Sequence, residues 1–346
     1  MNCFRNGGQV SHTFSIMQLI IDTANTSLSV KNHSFFISNR STQRIINPSR
    51  VDSIAVTTNC LINVSAIKLA AEHQVPIFIF DMLGNIKARM WSPYFINTAE
   101  LRKLQLKFYD SNAATAWVLT LLKRKTTLHI QTLMQLSRNR SGFSSQIESD
   151  TNQMAIYLSK LEPYYLLQID KCRGSILGIE GNLSKLYFKN LSALLPDSFK
   201  FEKRSRRPAL DHFNAAINYL YGMTYSVVES GVFAKGLDPF AGYLHTDNYL
   251  KTSLVFDLIE PIRPVIDRLL IDLCNSGSLS PAHFEEKAPG YWLSKAGKGV
   301  IIPAFNDYML KRVTIDNRVM SVKDHIYNES FSLGRAIDQH FKVTTP

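Results

Sequence analysis

The sequence predicts an α+β fold: a small N-terminal β-rich domain, β-sandwich-like, followed by a larger all-α domain. Three observations carry this. Up to Trp91 the apolar runs are short and rich in β-branched residues, the mark of strands joined by tight turns. Past Ser92-Pro93 the apolar residues recur at helical spacing instead. A chain of 346 residues is also too long for one ordinary core, so two domains are the natural division.

Taken in order, residues 1–16 read as a polar extension that lacks the apolar centre of a signal peptide. Strands follow at 19–21, 28–30, 35–37 and 54–56, with Lys31-Asn32-His33 as a hairpin turn. A helix carries Val64, Ile67, Leu69 and Ala71 and precedes a buried strand at 76–80. The turn Met82-Leu83-Gly84-Asn85 leads into a last strand at 86–91, which places the β domain at 17–96. Asn97 caps the next helix, with Glu100 three residues on to complete a capping arrangement. Leu101, Leu104, Phe108, Trp117, Leu121 and Leu122 mark the helices that open the second domain, 97–340. Its helical pattern breaks at 140–143, Pro196-Asp197, 236–239 and 276–281.

Charge narrows the partners. Lys and Arg number 39 against 28 Asp and Glu, a net charge of +11, which favours a polyanion. Between Ala99 and Arg140 there are eight basic residues, Lys123, Arg124 and Lys125 among them, against two acids. A second run holds Lys200, Lys203, Arg204, Arg206 and Arg207. Either run alone reads as a solvated face. Two in one domain, interleaved with Phe108, Tyr109, Phe199 and Phe201, read as a surface that tracks a DNA backbone. The four cysteines are scattered, which suits a reducing cytoplasm and supplies neither a zinc knuckle nor a disulfide frame. No stretch reaches the roughly 20 apolar residues of a membrane span.

Acids and histidines inside apolar helical stretches are the candidates for chemistry, because solvent does not account for them and an unpaired buried charge is costly. Glu180 lies in Gly178-Ile179-Glu180-Gly181-Asn182. Glycines weaken a helix by roughly 1 kcal/mol each, so a pair beside an acid points to close approach by another group; the plainer alternative is an acid at a helix start. His245 follows Gly242-Tyr243-Leu244, where a hydrogen-bonded structural histidine is the alternative. Asp257 and Glu260 are three apart, which puts both on one face of a helix, and Pro261 and Pro264 should loosen that helix beside them. Their alternative is an ion pair with Arg263 or Arg268. Together these acids read as a crowded cluster, from which removing one should relieve repulsion.

Order and context connect these fragments. Gly178-x-Glu180-Gly181, then Arg207-Pro208-Ala209-x-Asp211-x-x-Asn214-Ala215-x-x-Asn218-x-x-Tyr221-Gly222, resembles the CRISPR-associated spacer-acquisition integrase family. So do Gly236-Leu237-Asp238-Pro239-x-x-Gly242-Tyr243-Leu244-His245 and Ser253-Leu254-x-x-Asp257-Leu258-x-Glu260-x-x-Arg263-Pro264. The resemblance covers about residues 17–340. It implies a homodimer formed largely through the β domains, and a magnesium or manganese ion held by Glu180, His245 and Glu260. It makes Asp257 a supporting acid, Tyr221 an active-site tyrosine and Arg263 a basic neighbour of the metal acid. It also implies a small ferredoxin-like partner that joins two catalytic dimers into a heterohexamer. Two positions depart from the family pattern: Asn182 stands where a serine is frequent, and Asn248 where some members carry lysine.

The activity so implied is insertion of spacer DNA into a CRISPR array by attack of a 3′-hydroxyl on a phosphodiester. A hydrolytic metal nuclease would use the same ligands, and a non-catalytic DNA-binding scaffold would keep the acids for structure alone; the residues leave these open.

Overall fold

The computed structural model describes residues 17–80, 86–90, 99–138, 142, 144–245 and 252–344. The extension at 1–16, the turn at 82–85, the cap at Asn97 and Asn248 lie outside the described residues.

The first region contains β1 (Met17–Ile21), β2 (Thr26–Lys31), β3 (Ser34–Ser38), β4 (Gln43–Ile46), β5 (Val51–Val56), β6 (Cys60–Ile62), α1 (Val64–Glu72), β7 (Ile77–Phe80) and β8 (Ile86–Met90). They form two four-stranded sheets, ordered β1-β5-β7-β8 and β4-β3-β2-β6. In the first sheet β1, β5 and β7 run parallel and β8 returns antiparallel. The second turns on the β2–β3 hairpin, where Asn32 and His33 both take φ of 51°, the left-handed pair that a two-residue turn needs. Ile21, Ile54 and Ile77 from one sheet, Leu28 and Phe35 from the other, and Ala66 and Leu69 from α1 close one core. Strands β4 and β6 are not among those read from the sequence; with three or four residues each, they show no usable alternation.

The second region contains α2 (Ala99–Tyr109), α3 (Asn112–Ser137), α4 (Ser144–Ser159), α5 (Ile169–Leu194), α6 (His212–Lys235), α7 (Ser253–Leu258) and α8 (Arg263–Asn275). It continues with β9 (Phe284–Lys287), β10 (Gly290–Leu293), α9 (Lys295–Leu310), β11 (Arg312–Ile315), β12 (Arg318–Ser321) and α10 (Val322–Thr344). It is therefore mostly helical rather than wholly so. The two hairpins escape a reading by apolar period because their strands are only four residues long, and one of them, FEEK, is mostly charged.

Helix α6 is the spine. Phe213, Ile217, Leu220, Val228 and Val232 on it are fully buried. Asp211 caps its start by accepting from the Asn214 amide at 2.7 Å, and Gly236 ends it at φ 83°, a conformation glycine adopts without strain. The β region is seated on α6 and α9: Gln18 donates to Ser53 at 3.0 Å and Ser226 at 2.6 Å, and its amide to Asn306 at 3.3 Å. Arg89 on β8 pairs with the fully buried Glu229 on α6.

Candidate metal and DNA site

Glu180 sits in the middle of α5, not at a helix start. The flanking glycines were expected to admit a close neighbour, but a side chain added at Gly178 or Gly181 would meet nothing within 4 Å. They leave the helix face bare beside the acid, and Gly181 lines an open cavity of about 500 Å³.

The Asp257–Glu260 pair departs from the expected shared helix face. Helix α7 stops at Leu258, α8 starts at Arg263, and Pro261 lies in the turn between them. The two acids therefore point to different tasks. Asp257, 1% exposed, accepts the backbone amides of Tyr243 at 2.6 Å and Leu244 at 3.1 Å on one oxygen. Its other oxygen takes the His245 amide at 3.0 Å and lies 2.7 Å from His245 Nδ1. This shapes the whole loop before His245 and, in the neutral ring, places the proton on Nδ1 and the lone pair on Nε2. Burial lowers the proton affinity of His245, but the bond to Asp257 outweighs it and raises the pKa above its ordinary value.

Glu260 is fully occupied. One oxygen accepts from Arg263 Nε at 2.8 Å, the ion pair foreseen as the plainer alternative; the other accepts from Lys125 Nζ at 2.6 Å. The same Lys125 ammonium reaches Glu180 Oε1 at 2.5 Å. Burial pushes Glu260 up, but Lys125, Arg263 and His245 outweigh it and hold the carboxyl far below its ordinary range. Glu180 shifts down more modestly: burial and Glu260 raise it, while Lys125 and a hydroxyl bond from Ser184 at 2.7 Å lower it. The repulsion between these carboxylates is outweighed. They are bound together by a lysine.

The basic run on α3 consequently splits. Lys123 stays at the surface and pairs with Glu162 at 2.6 Å. Arg124 is clamped to Glu329 through two bonds of 2.8 Å and reaches Asp316 at 2.5 Å, fastening α3 to α10. Lys125, 6% exposed, points into the site, so reading these three as one DNA-facing stripe does not hold. A signal was available: Lys125 is three and four residues past Leu122 and Leu121 and four before His129, all on the buried side of α3. In the second run Lys203, Arg206 and Arg207 are exposed, whereas Arg204 turns inward to bond Asn214 and, at 2.9 Å, Asn218.

Tyr221 forms wall rather than floor. Its hydroxyl donates to Asp267 at 2.5 Å, and the Arg263 guanidinium lies 4.6 Å from its ring centre. Burial, reinforced by Asp267, pushes the phenol far above its ordinary value and keeps it protonated. Asp267, fully buried, also accepts from Tyr187 at 3.0 Å, and His129 stacks on Tyr187 with centroids 3.5 Å apart. Sequence reasoning passed over Asp267, although an acid inside Val265-Ile266-Asp267-Arg268-Leu269-Leu270 is the same kind of signal as Glu260.

Seven Lys and Arg line the cavity against three Glu, so its wall favours an anion while its floor binds a cation. Among the described residues, no group of three or more His, Cys, Asp or Glu is gathered closely enough to hold a metal ion outright. The donor set nevertheless fits a hard divalent ion. Two carboxylates already converge on one cation, and an imidazole oriented by a carboxylate lines the same cavity.

Comparison with known proteins shows the family and the fold. The family model for "CRISPR associated protein Cas1" matches residues 19–307. The CRISPR-associated endonuclease Cas1 1 of Archaeoglobus fulgidus is 28% identical over 283 residues, 78% of this chain and 82% of that protein. A casposase bound to integration product superposes with a TM-score of 0.78 at 20% identity, covering 94% of this chain and 91% of the casposase. A chain of a Cas6-RT-Cas1–Cas2 complex superposes at 0.76 and 19% identity, covering 97% of this chain and 36% of the other. Both structural likenesses concern the fold.

Proposed function

The chain belongs to the Cas1 family of CRISPR-associated proteins, and on that premise we propose that it is a metal-dependent DNA integrase that inserts spacer DNA into a CRISPR array. The observation that carries this reading is the convergence of Glu180 and Glu260 on one cation, at the floor of a cavity walled by arginine and lysine. Glu180, His245 and Glu260 would hold magnesium or manganese, which when bound supplies Lewis acidity and charge neutralisation at a phosphodiester.

The protein's own groups then position. Asp257 sets the His245 ring, Arg263 and Ser184 steer the two glutamates, and Tyr221 carries the Arg263 guanidinium on its face. Lys203, Arg206 and Arg207 hold DNA by its phosphates, with little reading of sequence. The bare face of α5 at Gly178 and Gly181 lets a backbone come close to Glu180. The fragment's 3′-hydroxyl oxygen forms the new bond to phosphorus as the bond to the target's 3′-oxygen breaks, and the proton passes to the leaving oxygen. One phosphodiester replaces another, so the exchange needs no ATP, and catalysis is mostly orientation and charge stabilisation. A homodimer through the β domains and a small partner protein complete the assembly. The partner is supported by a chain of similar fold in a complex with Cas2.

A second reading, hydrolytic cleavage, is favoured by the name endonuclease carried by the Archaeoglobus relative. An assay with a labelled fragment, repeat-containing plasmid and the partner protein separates them. A covalently joined product that requires magnesium or manganese and vanishes on chelation is expected. Nicked plasmid without joined product would overturn the integrase reading.

A further inference from the structure

Lys125 occupies the position a divalent ion would claim. Its ammonium lies 2.5 Å from Glu180 and 2.6 Å from Glu260, with Ser184 Oγ at 3.4 Å, in the lining of the cavity. Arg263 satisfies the remaining oxygen of Glu260. The buried Glu260 and the partly exposed Glu180 face the buried Lys125 and Arg263, so these four charges balance. Adding a divalent ion to that set would leave surplus positive charge in a buried place, which is strongly unfavourable unless an anion arrives or a cation departs.

We propose that Lys125 is a built-in competitor of the metal ion that makes metal occupancy depend on bound DNA. Without DNA, the tethered ammonium holds Glu180 and Glu260 together and resists the ion. When a DNA phosphate enters the cavity, Lys125 swings from the carboxylates to that phosphate, and the vacated oxygens become ligands. The flexible four-carbon stem permits this, and the cavity into which it would turn is lined by Arg206 and Lys203, exposed groups that draw the same phosphate. The consequence is a safeguard: a nuclease-type site that is not charged with metal until its substrate is seated. This inference rests on the metal-site reading above.

The test measures manganese binding, not joining, on the full chain, following free Mn²⁺ by electron paramagnetic resonance. The probe is a short duplex ending in 3′-deoxy sugars, which binds but cannot join. By the reciprocity of linked binding, the duplex should tighten Mn²⁺ binding to the wild-type protein by about tenfold, within the usual range of such coupling. Lys125→Met should bind Mn²⁺ tightly without DNA, gain little from the duplex, and lose that affinity when Glu180→Ala is added. A merely structural lysine predicts the opposite, since its loss would disorder the carboxylates and weaken the metal. Equal or weaker binding by Lys125→Met, with normal wild-type binding, overturns the inference and leaves the metal site standing. Absence of Mn²⁺ binding in every protein, with and without duplex, overturns both. Should Lys125→Met fail to fold, the wild-type pair decides alone: tightening by the duplex sustains the inference and an unchanged affinity ends it.

Discussion

At the scale of single residues, the site turns on which partner each charge has. Glu260 shows why a list of acids is insufficient: it bonds Arg263 and Lys125 at once and is 5% exposed. The expectation that deleting an acid relieves repulsion therefore reverses. Glu260→Ala would leave two buried cations facing only Glu180, and removal of one partner from a buried pair typically destabilises by about 3–5 kcal/mol. We predict that Glu260→Ala lowers the denaturation midpoint accordingly in metal-free solution, and that Glu180→Ala, where Lys125 keeps Glu260, lowers it much less. Chemical denaturation of both variants checks this; equal midpoints for the two would contradict the charge assignment. Glu180, His245, Asp257 and Glu260 were legible in sequence because each interrupts apolar surroundings. Lys125 was not, because in a run with Lys123 and Arg124 a basic residue reads as solvated, and only its helical phase betrays it.

At the scale of elements, the long periodic segments and the Asn32-His33 hairpin were readable, and the four-residue strands β9 to β12 were not. The proline pair was read correctly as a loosening of the helix, yet the consequence was different from that expected. The break sends Asp257 to the loop amides and Glu260 to Lys125 on α3, so one segment both orients the histidine and shares with Glu180 the same lysine. The seam between β8 and α6 has its own titration. Burial drives Glu229 up to about 7 from 4.5, and the Arg89 ion pair only partly opposes this. A carboxyl with a raised folded-state pKa holds its proton in the native protein where the unfolded chain has released it. Its contribution to stability is thus present at low pH and is lost as pH rises from about 4.5 to about 7. The slope approaches about 1 kcal/mol per pH unit within that window. Glu229→Gln should flatten it, as measured by urea unfolding across the window; a wild-type stability that rises there would contradict the assignment.

At the scale of the whole molecule, a net charge of +11 becomes useful only where it is exposed and convergent. Lys203, Arg206 and Arg207 are exposed, the first two in the cavity wall, whereas Arg204, Arg124 and Lys125 are spent on protein contacts. Log affinity for duplex DNA should fall linearly with log salt, and replacing Lys203, Arg206 and Arg207 by Ala should make the slope shallower by about 0.9 per lost phosphate contact. An unchanged slope would move the DNA path elsewhere on the surface. The fold serves this arrangement: α6 carries Tyr221 toward the cavity and Glu229 and Ser226 toward the β region, so one helix ties the cavity wall to the β region.

The central claim, that this site joins DNA to DNA, rests on where the attacking oxygen comes from. In strand joining the nucleophile belongs to the fragment, and the protein needs only to align it and shield the charge that develops. In hydrolysis the nucleophile is solvent, and the terminus of the fragment is irrelevant. The direct measurement supplies repeat DNA, the partner protein and magnesium or manganese with fragments that differ only in a 3′-hydroxyl or a 3′-deoxy end. Joined product should form with the hydroxyl end and vanish with the deoxy end at equal protein and metal. Target cleavage at the same rate with both ends, and no joined product with either, would contradict the account.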